Sequence, residues 1–164
     1  MEKGPATVWL WLSAAVVVLD QATKALAELY LDRFQPLELL SFFNLVLTYN
    51  SGAAFSFLAD AGGWQRIFFV IITVVVVVFL LRWLWSLEER NGVLPIGLAL
   101  VIGGAIGNLI DRIATGLVVD FLDFHYAGWH WPAFNVADSA IFVGVALLLY
   151  DSLFLAGKRE AGRG

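Results

Sequence analysis

Four long apolar runs, at about 7–30, 65–85, 93–113 and 136–156, alternate with short polar stretches along the chain. Each is long enough to cross a bilayer as a helix, which takes roughly 20 residues. Between the first two, at about 37–57, Phe42-Phe43-Asn44-Leu45-Val46-Leu47-Thr48-Tyr49 runs into Asn50-Ser51-Gly52 and then Ala53-Ala54-Phe55. That order reads as strand, turn, strand. A sheet this apolar is expected to lie on the outer membrane surface, with 60–64 forming a short interfacial helix or turn that leads back down. The expected fold class is therefore membrane all-α: a four-transmembrane-helix bundle with a small extracytoplasmic β-sheet, in a single membrane domain over residues 1–164.

Composition sharpens this picture. Hydrophobic residues make up 60% of the 164 and charged residues 15%, and the mean hydropathy is +0.81. Both depart from a soluble domain, and four spans use most of the length. The first run could pass for a secretory signal, since 8–19 is a short apolar core and Ala25-Leu26-Ala27 resembles a cleavage site. Asp20 and Lys24 interrupt that pattern, and the run is expected to be retained. The net charge of -4, with ten scattered Lys and Arg, argues against a nucleic-acid partner. No cysteine is present, which excludes disulfides, thiolate metal sites and cysteine nucleophiles. Basic residues flanking the spans favour both termini on the cytoplasmic side, where Lys3, Arg82, Arg90, Lys158, Arg159 and Arg163 outnumber Lys24, Arg33, Arg66 and Arg112 outside. The seven tryptophans fall near span ends, as interfacial aromatic belts require.

In that topology the polar residues concentrate at one level. Asp20 and Lys24 end the first span, Asn108, Asp111 and Arg112 end the third, and Asn135 and Asp138 open the fourth. Helical spacing lets Asp20 pair with Lys24 and sets Asn108 beside Asp111 and Arg112; an Arg112–Asp111 pair would brace the site. Asn135 also reads as an N-cap with an acid three residues on. Asp120, in Val118-Val119-Asp120-Phe121, has no cation near it in sequence and is expected in a loop. Carboxylates are costly near hydrocarbon, so Asp120 and Asp138 at one membrane boundary point to chemistry. Small residues at Gly103-Gly104-Ala105-Ile106-Gly107 are expected to let helices approach closely. Ser51 with His125 or His130 lacks a recognised serine-site motif. Asp123, His125 and His130 lack metal-ligand spacing and read as solvated loop residues.

Five motifs in order, Asp20-x-x-x-Lys24, Asn50-Ser51-Gly52-Ala53-Ala54-Phe55, Gly107-Asn108-x-x-Asp111-Arg112, Val119-Asp120-Phe121 and Phe134-Asn135-Val136-Ala137-Asp138-Ser139, closely resemble the bacterial lipoprotein signal peptidases, or signal peptidase II. The resemblance implies a membrane aspartic endopeptidase that removes signal peptides from diacylglyceryl-modified prolipoproteins, cutting just before the lipidated cysteine. It implies four transmembrane helices, an extracytoplasmic β-cradle, residence in the bacterial cytoplasmic (inner) membrane and inhibition by the cyclic peptide globomycin. Its catalytic pair maps onto Asp120 and Asp138, and its other motif positions onto Asp20, Lys24, Asn50, Gly52, Asn108, Asp111, Arg112 and Asn135. The expected mechanism is attack by an activated water between two carboxyls sharing one proton, with neither metal nor cofactor. The dipole at the start of the fourth span favours the anion on Asp138, making Asp120 the protonated partner. A membrane lipid environment and a monomer are expected. The rival readings are a small proton- or ion-coupled transporter, which should carry its charges near the midplane, and a noncatalytic assembly subunit, which leaves the outer aspartates unexplained.

Overall fold

The computed structural model describes residues 7–52, 64–87 and 92–155. Its elements run α1 (Thr7–Tyr30), β1 (Leu37–Leu40), β2 (Phe43–Asn50), α2 (Trp64–Ser86), α3 (Val93–Ala114), β3 (Val118–Tyr126), β4 (Trp129–His130) and α4 (Val136–Tyr150), the last continued by a π-helical turn, Asp151–Leu155. All four long helices are apolar enough to cross a membrane. Much of their surface is exposed leucine, isoleucine, valine and phenylalanine, such as Ile67, Phe79 and Phe142. In hydrocarbon such a surface carries no penalty, whereas in water it would drive aggregation.

The hub is α3. It is 61% buried where the other spans are 17–28% buried, and it packs against α1, α2 and α4. On its α2 side Val77, Leu80 and Leu84 meet Leu98, Val101, Ile102 and Ala105. Towards α1 and α4 the contacts are close and small-sided. A Cβ on Gly103 would meet the Ser13 carbonyl oxygen at 2.8 Å, one on Gly104 would strike the Ala137 carbonyl oxygen, and one on Gly107 would sit 2.6 Å from Asp20 Oδ2. Helix association in lipid relies on such close packing because no hydrophobic force acts between helices there. The glycine run thus packs as its composition predicts.

At the end of the bundle where α1 and α3 finish and α4 starts lies a four-stranded antiparallel sheet in the order β1-β2-β3-β4. Sequence reading found β2 but placed its hairpin turn at Asn50-Ser51-Gly52. The turn observed before β2 is Ser41 and Phe42, joining β1 to β2. The expected second strand at Ala53-Ala54-Phe55 and most of the expected 60–64 turn lie outside the described residues, as does the tail from 156. The longest strand, β3, was not anticipated.

Candidate active site

Asp120 lies on β3, third of its nine residues, and not in a loop: it is the register partner of Thr48 on β2. The other edge of β3 is sewn to the segment that leads into α4. Phe121 and Leu122 both donate their N–H groups to the Phe134 carbonyl, at 3.0 and 2.9 Å, and Phe134 donates back to Leu122 at 3.1 Å. The next residue, Asn135, caps α4, its Oδ1 accepting the Asp138 N–H at 2.9 Å. Backbone bonding thus brings the strand acid beside the first turn of α4, which carries Asp138.

Three asparagine amides converge here, and in each a neighbouring donor fixes which end is oxygen. Asn50 Oδ1 accepts the Gly52 N–H at 2.8 Å, so its Nδ2 faces Asp120 Oδ2 at 3.1 Å. Asn135 Oδ1 is held by the Asp138 N–H, so its Nδ2 donates to Asp120 Oδ1 at 2.7 Å and to Asn108 Oδ1 at 3.2 Å. Asn108 Oδ1 also accepts from Lys24 Nζ at 2.9 Å, leaving its Nδ2 to donate to Asp138 Oδ1 at 2.7 Å. Donors turned toward both carboxyls fix their positions and satisfy groups that would be costly to bury unpaired. Gly52 has φ +84, and a Cβ there would approach the Phe69 ring to 2.9 Å. Glycine meets both the left-handed backbone and the close contact.

Behind the amides lies a buried ionic cluster. Lys24 Nζ is 2.8 Å from Asp20 and 2.7 Å from Asp111. Asp20 Oδ1 accepts the Ala137 N–H at 2.9 Å, and Asp111 Oδ2 accepts the Val119 N–H at 3.3 Å. One cation therefore ties α1 to α3, and its two acids reach on to the starts of α4 and β3. Gln21, which sequence reading passed over, donates to Asp111 Oδ1 at 2.8 Å and to the Gly107 carbonyl at 3.2 Å. A glutamine one residue after an aspartate inside an apolar run was the available signal.

Asp120 is 2% exposed. Burial, and then the negative charge of Asp138, push its carboxyl up to about 6, while the amides of Asn50 and Asn135 and the charge of Lys24 pull back down. That raised value is what two neighbouring acids in a dry setting produce.

Two expectations need correcting. Asp111 takes Lys24, not Arg112; Arg112 instead donates to the Asn108 carbonyl at 3.3 Å and lies over the Phe69 ring, 5.5 Å from its centroid. The local pair lost because Lys24, reaching from α1, faces Asp111 across the helix contact. Asp123 and the histidines are not a solvated loop either. Asp123 is buried on β3, accepting from His130 Nδ1 at 2.9 Å and from Asn44 Nδ2 at 3.1 Å, and the His125 and His130 rings stack at 5.0 Å. Among the described residues no cluster of His, Asp and Glu has a metal-holding arrangement.

Fold and geometry describe a class: a multi-pass membrane protein that gathers acids, amides and one lysine into a buried cluster at one end of its bundle. A sequence model of signal peptidase (SPase) II matches residues 12–154. The lipoprotein signal peptidase of Coxiella burnetii is 52% identical over 151 residues, covering 92% of this chain and 93% of that protein. That of Acinetobacter baumannii is 50% identical over 152 residues, covering 93% and 86%. A solved bacterial membrane enzyme, determined by the in meso method at 1.9 Å resolution, superimposes with a TM-score of 0.81 at 32% identity, covering 92% of this chain and 95% of that one. The chain belongs to the signal peptidase II family: it is a membrane-embedded aspartic peptidase and not a transporter.

Proposed function

We propose that Asp120 and Asp138 are the catalytic pair, and that the substrate is a diacylglyceryl-modified prolipoprotein cut immediately before its lipidated cysteine. The observation that carries this reading is the shared environment of the two acids: each takes an amide N–H of fixed orientation, and Asp120 is raised by burial and then by its neighbour's charge. The pair shares one proton, as neighbouring like charges in a buried setting favour. Asp120 holds it at rest and acts as acid toward the scissile carbonyl. Asp138 takes a proton from the attacking water, so the nucleophile forms without a covalent enzyme intermediate. Collapse of the tetrahedral intermediate reverses the roles: Asp138 protonates the leaving amine of the cysteine, and Asp120 recovers its proton. No metal or cofactor enters this scheme. Asn108 and Asn135 hold the acids, Asn50 and Gly52 shape the turn beside Asp120, and Asp20, Lys24 and Asp111 lock α1 and α3 to the starts of α4 and β3. Arg112 lines the same end of α3.

A groove of about 430 Å³ beside Asp138, walled by Trp131, Phe134, Phe142 and Val143, opens towards the lipid-facing side of α4. Its apolar walls suit a substrate that keeps its acyl chains in hydrocarbon. The sheet end of the bundle is assigned to the outer face of the bacterial cytoplasmic membrane, with both termini inside, on the flanking-charge bias. The working unit is a monomer, and globomycin is the expected inhibitor. Purified Asp120→Asn and Asp138→Asn proteins should insert and fold as wild type yet leave a synthetic diacylglyceryl precursor uncut by mass spectrometry, a loss of at least about a thousandfold. Substantial cleavage by either protein would refute the pair.

A further inference from the structure

Two cavities meet at one pair of rings. The groove beside Asp138 runs along α4 past Phe142 and Val143 into the membrane span. A second cavity of about 440 Å³ lies farther out on the sheet, bounded by Phe42, Phe124, His125, Tyr126 and Trp129, and it shares Trp131 and Phe134 with the first. Phe124 stacks between Phe134, at 5.9 Å, and Phe42, at 6.5 Å. Phe124 and Tyr126 lie farther along the strand that carries Asp120. The aromatic cup therefore continues from the acid along β3.

The substrate of the proposed reaction branches in the same way. At the lipidated cysteine, just after the cut bond, it divides into acyl chains that stay in hydrocarbon and a polypeptide that leaves it. One cavity leads down α4 towards the lipid and the other leads away along the sheet. We propose, resting on the peptidase reading above, that the aromatic cup on the β3–β4 hairpin binds the mature polypeptide a few residues beyond the cut and seats an apolar side chain there. At a strand rise of about 3.3 Å per residue, Phe124 and Tyr126 lie about 13 and 20 Å along β3 from Asp120, the reach of about four to six extended substrate residues. His125 also lines the cup, but its Nε2 is engaged with Asn44 Oδ1 at 3.2 Å and the exposed wall is almost wholly apolar, so a carboxylate would lose hydration there with little to replace it.

Tyr126 and Trp129 are 81% and 61% exposed, so truncating either leaves the core of the fold intact. Three synthetic diacylglyceryl precursors with one signal peptide supply the test: one stops about two residues after the cysteine, and two run on for about eight, with leucine or aspartate about five residues beyond it. Wild-type protein should cut the leucine precursor with about tenfold higher kcat/KM than the aspartate one, carried in KM. Trp129→Ala and Tyr126→Ala should each erase that preference and leave the short precursor unchanged. Equal slowing of all three precursors, the signature of a ring that only anchors in lipid, would overturn the proposal. So would equal cutting of the leucine and aspartate precursors by wild type. A wild-type protein that cuts none of them would sink the peptidase reading itself.

Discussion

Amide orientation decides what the two acids experience. In Asn50, Asn108 and Asn135 the oxygen is claimed by a backbone N–H or by Lys24, so the NH₂ end is left for a carboxyl. Replacing one of these amides with a carboxylate of the same size would put oxygen against oxygen. Asn50 also supplies a test of the raised carboxyl at Asp120. The proposed mechanism needs one shared proton, so kcat/KM should fall as pH rises past about 6, where Asp120 gives it up. Asn50→Ala removes a hydrogen bond that favours the anion, so Asp120 should hold its proton to higher pH. A pH–rate series should show that alkaline limb moved upward by about half a unit to one unit, with kcat reduced. A downward move would contradict the assigned hydrogen bond.

At the scale of elements, the site depends on how closely α4 approaches α3. Gly104 faces the Ala137 carbonyl with no room for a methyl group, one residue from Asp138. Gly104→Val should push α4 outward, lengthen the Asn108–Asp138 contact and destabilise the protein by about 1–3 kcal/mol. Thermal unfolding in detergent and precursor cleavage should both register the change, whereas Gly92→Ala, where a Cβ meets nothing but φ is +111, should lose some stability and keep activity. The four helices were legible in the sequence because span length and apolarity are local properties. The glycine run was legible for the same reason. β3 was not: its partner β2 lies far back in the chain, Asn50 and Asp120 being 70 positions apart, and the acids at Asp120 and Asp123 mask the pattern of a strand. Polar residues at span ends announced the site's membership, since each is expensive there. Which of them pair was hidden, because a cross-helix contact such as Lys24 to Asp111 leaves no trace in spacing along one helix. The contact of buried Asp123 with exposed His130 went unseen because the hairpin that joins them was not read from the sequence.

For the whole molecule, Asp120 couples stability to pH. Its carboxyl rises from 3.8 in the open chain to about 6 in the fold. The fold therefore favours the neutral acid: the contribution is fully present below about 3.8 and is lost as pH rises through about 6. That difference amounts to about 3 kcal/mol. Unfolding in detergent should show stability declining from pH 4 to pH 7 by about 2–3 kcal/mol, and Asp120→Asn should flatten the decline. The stitching of β3 to Phe134 also has a bearing on biogenesis. On the proposed pairing, Asp138 arrives with the last helix and Asp120 is held in place only once Phe134 has been made, so cutting has to wait until synthesis has passed residue 138. On that reading the timing of competence is written into the order of the segments.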